Sequence, residues 1–219
     1  LSYYLSVAYK QILITSETGN HCTSSARLVG FGFNIYGSGN TTIQGLEMDS
    51  IRVNAFWNSN CCSYPPSSNV KIRNNKISNT RGHGVKTDSG GPTGEAINRQ
   101  NWVISGNTFE NIGFYNADGY CPTPAPVSAL WLAEAGDNFV ISNNIIQNTK
   151  WAGILCDGYG GVDDQTLPIF SYPGSVTISG NRISNTVDAG IQVGISSASA
   201  NFYIPVNANI NNNTITNAN

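Results

Sequence analysis

The sequence predicts an all-β fold, a right-handed parallel β-helix built as a single-stranded solenoid of about six to seven coils. Three observations lead to this prediction. An eleven-residue pattern recurs along the chain, its copies are rich in the β-branched residues typical of strands, and the distances between copies vary while the pattern within each does not. Short repeats of this kind stack to bury a shared core and place length variation in loops outside it.

The clearest copies of the pattern occupy residues 69–79, 101–111, 138–148, 175–185 and 207–217. They share a first apolar column, Ile72, Ile104, Ile141, Ile178 and Ile210, and a second, Ile77, Phe109, Ile146, Ile183 and Ile215. They also share two asparagine columns: Asn75, Asn107, Asn144, Asn181 and Asn213, then Asn79, Asn111, Asn148, Asn185 and Asn217. Asparagine tolerates left-handed backbone, and stacked asparagines hydrogen-bond to one another. We therefore expect asparagine ladders at the bends. A weaker copy covers residues 40–46.

A second short strand follows each copy, in which Gly or Ala precedes alternating apolar residues. These strands are residues 32–35, 55–58, 84–87, 129–132, 153–156 and 190–193. With them, the repeat resembles the pectate-lyase-like superfamily of right-handed parallel β-helices from about residue 26 to the end. The resemblance implies the fold, but it implies no single function, because the superfamily contains lyases, hydrolases, epimerases, phage tailspikes, adhesins and structural shells.

Two regions are expected along the chain. Residues 1–25 form an N-terminal strand or cap region, and residues 26–219 form the β-helix. The last coil stops after its asparagine turn, so we expect the β-helix to be incomplete at the C-terminal end. Another chain or domain is then expected to stack on this open end, because an exposed strand edge invites pairing.

Composition limits the partners. Charged residues make up 11% of the chain and the net charge is −2, so there is no basic field to hold nucleic acid or an anionic membrane. The apolar stretch 1–9 is too short to span a bilayer. We expect no nucleic-acid partner and no membrane span.

The five cysteines and two sequons indicate an exported, extracellular glycoprotein, either secreted or on the cell surface. Cys121 with Cys156 is one candidate disulfide, and Cys22 with Cys61 or its neighbour Cys62 is the other. No CxxC spacing indicates structural zinc. Glycosylation sites are predicted at Asn40 and Asn212. The alternative is an intracellular protein in which the cysteines are buried as small apolar residues.

Strand alternation predicts two outward-facing columns on the second strands. The first contains Trp57, Lys86, Trp131, Leu155 and Gln192, and the second contains Ser59, Asp88, Ala133, Asp157 and Gly194, with Glu134 beside it. Asp88 and Asp157 are two coils apart, hence roughly 10 Å. We expect this face to carry any catalytic site.

Two chemistries fit these residues. The spacing of Asp88 and Asp157, with Glu134 beside them, is compatible with an inverting glycosidase pair, whose carboxyl groups lie about 6.5–9.5 Å apart. Alternatively they hold a calcium ion that neutralises a uronate, and Lys86 or an arginine removes the α-proton. Trp57 and Trp131 would offer platforms to sugar rings. Solvated surface carboxylates with no catalytic role remain the alternative.

Residues 81–86, Arg-Gly-His-Gly-Val-Lys, also resemble the Gly-His-Gly strand of polygalacturonases. That resemblance implies that His83 lies near the reacting sugar, with Arg81 beside the substrate. The aspartate motifs that precede Gly-His-Gly in that family are missing, since the only Asp-Asp pair, Asp163-Asp164, comes 80 residues later. His83 as an ordinary turn residue stays open.

Two functions follow. The first is a secreted carbohydrate-active enzyme, a polysaccharide lyase or glycoside hydrolase that acts on a polysaccharide bound along the outer face. The second is a non-catalytic extracellular structural, appendage or adhesin module. An epimerase or a sugar-binding tailspike fragment is a further alternative.

Overall fold

The fold is a right-handed parallel β-helix of seven coils, as the sequence predicts. The computed structural model describes residues 4–8, 13–15, 26–37, 39–58, 67–87, 100–114, 126–133, 138–157, 175–194 and 207–218. Every regular element in this part of the chain is a β-strand. The strands form three parallel sheets of seven, and each coil contributes one strand to each sheet.

The strands are numbered in chain order. Sheet A contains β1 (Tyr4–Ala8), β4 (Gly32–Tyr36), β7 (Phe56–Asn58), β10 (Val85–Thr87), β13 (Leu130–Ala133), β16 (Ile154–Asp157) and β19 (Ile191–Gly194). Sheet B contains β2 (Leu13–Thr15), β5 (Thr42–Gln44), β8 (Lys71–Arg73), β11 (Val103–Ser105), β14 (Phe139–Ser142), β17 (Ser175–Ser179) and β20 (Asn207–Asn211). Sheet C contains β3 (Ala26–Val29), β6 (Leu46–Ile51), β9 (Lys76–Thr80), β12 (Thr108–Ile112), β15 (Ile145–Thr149), β18 (Arg182–Thr186) and β21 (Thr214–Ala218). The predicted second strands of the repeat supply six of the seven strands of sheet A.

The two predicted apolar columns lie in register along the core. In sheet B, Ile104 pairs with Ile72 on one side and Ile141 on the other. In sheet C, Phe109 pairs with Ile77 and Ile146. The structure extends the sheet C column to Met48, which the weaker copy ending at residue 46 does not include. These side chains are fully buried, so stacking of like apolar residues supplies a continuous core.

An asparagine ladder closes the bend between sheets B and C, as predicted. Asn144 Nδ2 donates to Asn181 Oδ1 at 2.9 Å and to the Ile104 carbonyl oxygen at 3.0 Å. Its Oδ1 accepts from the Asn107 backbone N–H at 3.0 Å and from Asn107 Nδ2 at 3.1 Å. Every hydrogen-bonding group of this buried amide therefore has a partner. The same bonds recur along Asn75, Asn107, Asn144, Asn181 and Asn213.

A second ladder runs along the outside of sheet C and ends on a carboxylate. Each Nδ2 donates to the Oδ1 one coil earlier at 3.0 Å, from Asn217 through Asn185, Asn148 and Asn111 to Asn79. Asn79 Nδ2 then donates to Asp49 Oδ1 at 2.8 Å. All the amide N–H groups point towards Asp49, so the aligned amides favour its negative charge.

Further hydrogen bonds hold Asp49 ionised. Arg27 Nη2 donates to Asp49 Oδ2 at 2.7 Å, and Ser78 Oγ donates to Asp49 Oδ1 at 3.0 Å. Burial alone would raise the pKa of Asp49, but the hydrogen bonds from Asn79, Arg27, Ser78 and the Ser50 backbone outweigh it and lower the pKa to about 2. The carboxylate therefore stabilises the start of the ladder at all but strongly acid pH.

The bends require left-handed backbone, which explains the many asparagines. Twelve of the described asparagines and Ser50 have φ between 52° and 61°. Asparagine is among the few residues with a side chain that adopt this conformation at low cost. Where an asparagine would stand in the turn between sheets B and C, some coils have glycine instead, as at Gly106 and Gly180. The repeat is therefore set by backbone conformation as much as by hydrogen bonding.

The region before residue 26 already contributes to the stack. Strand β1 pairs with β4 in sheet A, and β2 pairs with β5 in sheet B. Among the described residues, no helix is long and apolar enough to cross a membrane.

Candidate functional site

The outer face of sheet A carries the predicted aromatic and basic column. Lys86 in β10 pairs with Trp57 in β7 on one side and with Trp131 in β13 on the other. Leu155 and Gln192 continue the same register. We call Trp57, Lys86 and Trp131 the sheet A column. All three side chains are partly exposed, so they present a surface to solvent.

Contacts around Trp131 connect this column to its surroundings. Lys86 Nζ lies 5.2 Å from the centroid of the Trp131 ring, a cation–π contact. The Trp151 ring meets the Trp131 ring edge to face, with centroids 6.4 Å apart and planes 86° apart. Lys86 thus covers one face of the indole.

Leu155 departs from the prediction of a solvent-exposed column. It lies in the outward register beside Trp131, yet it is only 1% exposed. An apolar side chain gains from such cover. The partly exposed members of the column are therefore Trp57, Lys86 and Trp131 on one side of Leu155 and Gln192 on the other.

His83 lies behind the column in the turn from sheet C to sheet A. It is 7% exposed, and its ring contacts the Trp131 ring with centroids 4.9 Å apart. Its backbone N–H donates to Asn54 Oδ1 at 2.8 Å. Its Nδ1 lies 3.1 Å from the Ser128 backbone nitrogen and 3.2 Å from the Ser128 carbonyl oxygen, so it accepts from the first or donates to the second according to the ring tautomer. The prediction that His83 takes part in catalysis is not tested by this position, but the ring is largely covered and contacts a column residue.

The glycines on either side of His83 have a structural explanation. A Cβ on Gly82 would lie 2.5 Å from Asn54 Oδ1, and one on Gly84 would lie 2.5 Å from Phe109 Cδ1 and 2.6 Å from the Ala129 carbonyl oxygen. Only glycine fits against these neighbours. The Gly-His-Gly sequence is therefore required by the tight turn, whatever role His83 has.

Basic residues follow the edge of sheet A. Arg81 is exposed, and its backbone N–H donates to the Ile51 carbonyl oxygen in the previous coil at 2.8 Å. Lys150, two coils on from Arg81, places Nζ 5.2 Å from the ring centroid of Phe114, which is 48% exposed. Asp188 lies on the same edge, where its N–H donates to the Trp151 carbonyl oxygen at 3.4 Å. The edge thus adds cations and an aromatic ring beside the column.

The predicted carboxylates are only partly located. Asp157 ends β16 and pairs with Ala133 and Gly194, which confirms the register of the second outward column. Its side chain lies outside what the structure describes, as do the whole of Asp88 and Glu134. The catalytic roles of these residues stay predictions. Among the described residues, no group of three His, Cys, Asp or Glu could hold a metal ion.

The cysteine and sequon predictions are likewise mostly outside the described residues. Cys156 is the only cysteine within them and is buried, and no disulfide bond occurs in this part of the chain. Cys22, Cys61, Cys62 and Cys121 lie beyond it, so the proposed pairings stay predictions. Asn40 and Asn212 both occupy exposed corner turns with positive φ, which leaves their side chains accessible.

Sequence reasoning missed Ser128 and Trp151. Aligned on the first residue of the second strand, Ser128 falls in the same column as His83, and Trp151 falls in the column of Gly82. That alignment would have placed Ser128 against His83. The Trp131 contact with His83 has no such signal, because it depends on how the two rings turn.

Comparisons of the chain with protein-family models, curated proteins and solved structures find no significant match. The function is therefore argued from the fold and the residues.

Proposed function

We propose that the protein is a secreted carbohydrate-active β-helix protein that binds an acidic polysaccharide along the outer face of sheet A. The observation that carries the proposal is the in-register column Trp57, Lys86 and Trp131. Aromatic rings bind the apolar faces of sugars, and an ammonium group between two rings binds a carboxylate or sulfate. The low overall charge makes nonspecific binding of polyanions a weaker explanation.

The spacing of the column suits an extended chain. Trp57 and Trp131 are separated by two strand spacings, about 9.6 Å, with Lys86 midway. A polysaccharide along the β-helix axis can therefore contact both rings and place an acidic group at Lys86. Arg81 at the edge of the sheet supplies a second cation for the same chain.

The proposal includes two alternative catalytic mechanisms. The polysaccharide lyase alternative uses Lys86 or an arginine as the base and a calcium ion held by Asp88, Glu134 and Asp157. The glycoside hydrolase alternative uses two of these carboxylates as acid and base. His83 remains in this proposal as a neighbour of the substrate-binding ring. Membership of the pectate-lyase-like superfamily and an extracellular, glycosylated, disulfide-bonded form belong to the same proposal. The accessible corner positions of Asn40 and Asn212 support glycosylation.

A non-catalytic extracellular module is the second candidate. It is favoured by the composition of the sheet A column, whose aromatic and cationic groups suffice for binding. An appendage or adhesin that binds a glycan would use the same surface without bond cleavage.

A screen of acidic and neutral polysaccharides tests both candidates. Release of unsaturated uronate products, detected by their ultraviolet absorbance, identifies a lyase, and new reducing ends alone identify a hydrolase. Retention of an acidic polysaccharide without cleavage identifies a binding module. Failure to retain any polysaccharide contradicts the proposal, and filaments on an electron-microscope grid would then indicate a structural role.

Two variants test whether the sheet A column is the surface that binds the polysaccharide. Trp57→Ala and Lys86→Gln are expected to weaken retention of the acidic polysaccharide about tenfold, since each removes a contact worth roughly 1–2 kcal/mol. Lys71→Gln is the matched control, because Lys71 lies in the same coil on the outer side of sheet B. Equal weakening by Lys86→Gln and Lys71→Gln would assign the binding to general charge instead.

A further inference from the structure

The aromatic surface around Trp131 does not continue straight along sheet A. The next residue in its column, Leu155, is 1% exposed, so a ligand that follows the axis of the β-helix cannot contact it. To the side, the Trp131 ring meets the ring of Trp151 edge to face, with centroids 6.4 Å apart. Trp151 is partly exposed and lies in the turn that leads from sheet C into the strand of Leu155. The aromatic surface therefore turns at Trp131 towards the edge of sheet A.

The edge places two further side chains beside Trp151. Ile112 of β12 pairs with Thr149 of β15, and a hydrogen bond from the Lys150 N–H to the Ile112 carbonyl oxygen, at 3.2 Å, joins the turns that follow them. Phe114 and Trp151 are each the second residue after this pair, so they occupy the same position in neighbouring coils. Lys150 Nζ lies 5.2 Å from the Phe114 ring centroid. We call Phe114, Lys150 and Trp151 the edge cluster.

Hydrogen bonds and close packing fix the backbone of the edge cluster. The Trp151 carbonyl oxygen accepts from Thr149 Oγ1 at 2.9 Å and from the Asp188 N–H at 3.4 Å. A Cβ on Gly113 would lie 3.2 Å from Lys150 Cβ, so glycine is what lets the Lys150 side chain approach this turn closely. A backbone that is already ordered loses less entropy when a ligand binds.

The charges of the edge suit an anionic ligand. Within the described ranges, neither Lys150 nor Arg81 forms an ion pair, with Asp188 on the same edge or with any other carboxylate. Lys150 is partly exposed, and the Phe114 ring that it contacts is 48% exposed. A sugar that carries a carboxylate or sulfate can stack on this ring and place its anionic group at the ammonium group. The sheet A column pairs a ring with a cation in the same way.

We propose that the edge cluster is a second sugar-binding subsite, which takes a carboxylate- or sulfate-bearing residue of the same acidic polysaccharide that the sheet A column binds. The identity of the ligand rests on the proposed function. The bound chain bends at Trp131, where the face of sheet A and its edge meet. Arg81 lies on the same edge two coils before Lys150 and extends the cationic surface.

Binding of polygalacturonate at fixed salt concentration tests the subsite. We expect Phe114→Ala and Lys150→Gln each to weaken affinity about tenfold, as Trp57→Ala does in the sheet A column. Ile145→Ala and Arg182→Gln are the matched controls, because they remove an exposed apolar side chain and an exposed cation from the outer face of sheet C. These controls should leave the affinity unchanged. All four side chains are at least partly exposed, so the variants should fold, which urea unfolding checks.

Chemical variation of the probe separates the contribution of the ring from that of the cation. With fully methyl-esterified polygalacturonate, which carries no charge, Lys150→Gln should have no effect, whereas Phe114→Ala should still weaken binding. Dextran sulfate distinguishes the two anionic groups, because a loss of affinity in Lys150→Gln with dextran sulfate but not with polygalacturonate assigns the subsite to sulfated chains. An equal loss in Lys150→Gln with charged and esterified chains would overturn the role of the ammonium group.

The double variant Trp57→Ala/Lys150→Gln tests whether one chain occupies both places. Losses at separate contacts of one bound chain add in free energy, so we expect affinity about a hundredfold weaker. A double variant no weaker than Trp57→Ala, or Phe114→Ala and Lys150→Gln variants that bind like the unmodified protein, would overturn the subsite and leave the proposed function intact. Losses in the edge variants without loss in Trp57→Ala would support the subsite and contradict binding at the column. No binding of any acidic polysaccharide by the unmodified protein contradicts both.

Discussion

The bend between sheets B and C and the outer face of sheet A use the same coil spacing for opposite purposes. At the bend, one position holds Asn75, Asn107, Asn144, Asn181 and Asn213, and the same side-chain bonds join each of these five coils to the next. On the outer face, one position holds Trp57, Lys86, Trp131, Leu155 and Gln192, and no two neighbours are alike. The residues that repeat from coil to coil hold the coils together. The positions that do not repeat form the surface that can bind a ligand.

The difference has a physical origin. A buried amide must satisfy two donors and two acceptor sites, and only another amide at the same height of the next coil does so for every coil. A partly exposed side chain on sheet A does not need the same residue in the next coil to satisfy its polar groups, so its identity can change from coil to coil. We therefore expect substitutions at the bend to reduce the free energy of unfolding, and substitutions on the sheet A column to reduce binding.

The largest expected effect is at the centre of the internal ladder. Asn144→Ala removes the acceptor of the Asn107 backbone N–H and of one Asn107 Nδ2 hydrogen, and it removes the side-chain donor to the Ile104 carbonyl oxygen. Asn181 Oδ1 loses one of its two donors and keeps the Asn144 backbone N–H. At 1–3 kcal/mol for each unsatisfied buried group, we expect a loss of about 4 kcal/mol or failure to fold, measured by urea unfolding. Gln147→Ala, in the same coil but exposed on sheet C, should change stability by less than about 0.5 kcal/mol. Similar values for the two variants would contradict a structural role for the ladder.

The next effect tests the packing beneath the functional face. Gly84→Ala places a Cβ 2.5 Å from Phe109 Cδ1 and 2.6 Å from the Ala129 carbonyl oxygen. The backbone oxygen cannot move freely, so we expect a loss of about 3 kcal/mol in the free energy of unfolding. Gly39→Ala is the control, since a Cβ there has nothing within 4 Å. A Gly84→Ala protein as stable as Gly39→Ala would mean that the turn into sheet A is looser than the structure indicates.

Acid should weaken the outer ladder through Asp49. The pKa of Asp49 is lowered from 3.8 to about 2, so the folded protein binds fewer protons than the unfolded chain between these values. Its contribution is complete above about pH 4 and is lost as the pH falls through about 2, a change of about 1 kcal/mol because solvent screens the exposed Arg27–Asp49 pair.

Urea midpoints measured at decreasing pH test this contribution. Asp49→Asn is expected to be less stable than the unmodified protein near neutral pH and to show a correspondingly smaller loss in acid. Asp188→Asn, which leaves the Asp49 hydrogen bonds intact, should keep the full acid dependence. An unchanged pH dependence of the urea midpoint in Asp49→Asn would show that Asp49 does not cause the loss of stability in acid.

The smallest effect on stability is expected at the sheet A column. Lys86→Gln removes the cation–π contact with Trp131, worth less than about 1 kcal/mol at a partly exposed site. The urea midpoint should therefore change little, while binding of an acidic polysaccharide weakens about tenfold. A Lys86→Gln protein with a strongly lowered urea midpoint and intact binding would contradict the proposal that the bend determines stability and the sheet A face determines binding.

The sequence predicts the fold well because the fold is repetitive. The isoleucine columns, the asparagine ladders and six strands of sheet A follow from residues that recur at the same place in each coil. Met48 and Ser50 were missed because the second coil lacks the asparagine that marks the other bends, and Ser50 adopts the left-handed backbone instead. Asp49 as the end of the outer ladder was missed for the same reason.

For the candidate site, the sequence predicts only which residues lie side by side in neighbouring strands. Alternation and coil spacing place Trp57, Lys86 and Trp131 side by side, and the structure has them so. The burial of Leu155, the bond from Ser128 to His83 and the ring contacts of Trp131 depend on side-chain rotamers and on segments that do not repeat. A pattern of residue types carries no information about these.

Hydrogen–deuterium exchange with and without polygalacturonate tests the central claim most directly, that the non-repeating face of sheet A is the binding surface. The account predicts slower exchange in 84–87 and 129–132, and no change in β11 of sheet B or β12 of sheet C, which lie in the same coil as β13. Protection confined to sheet B or sheet C, or equal protection of all three sheets, would contradict it.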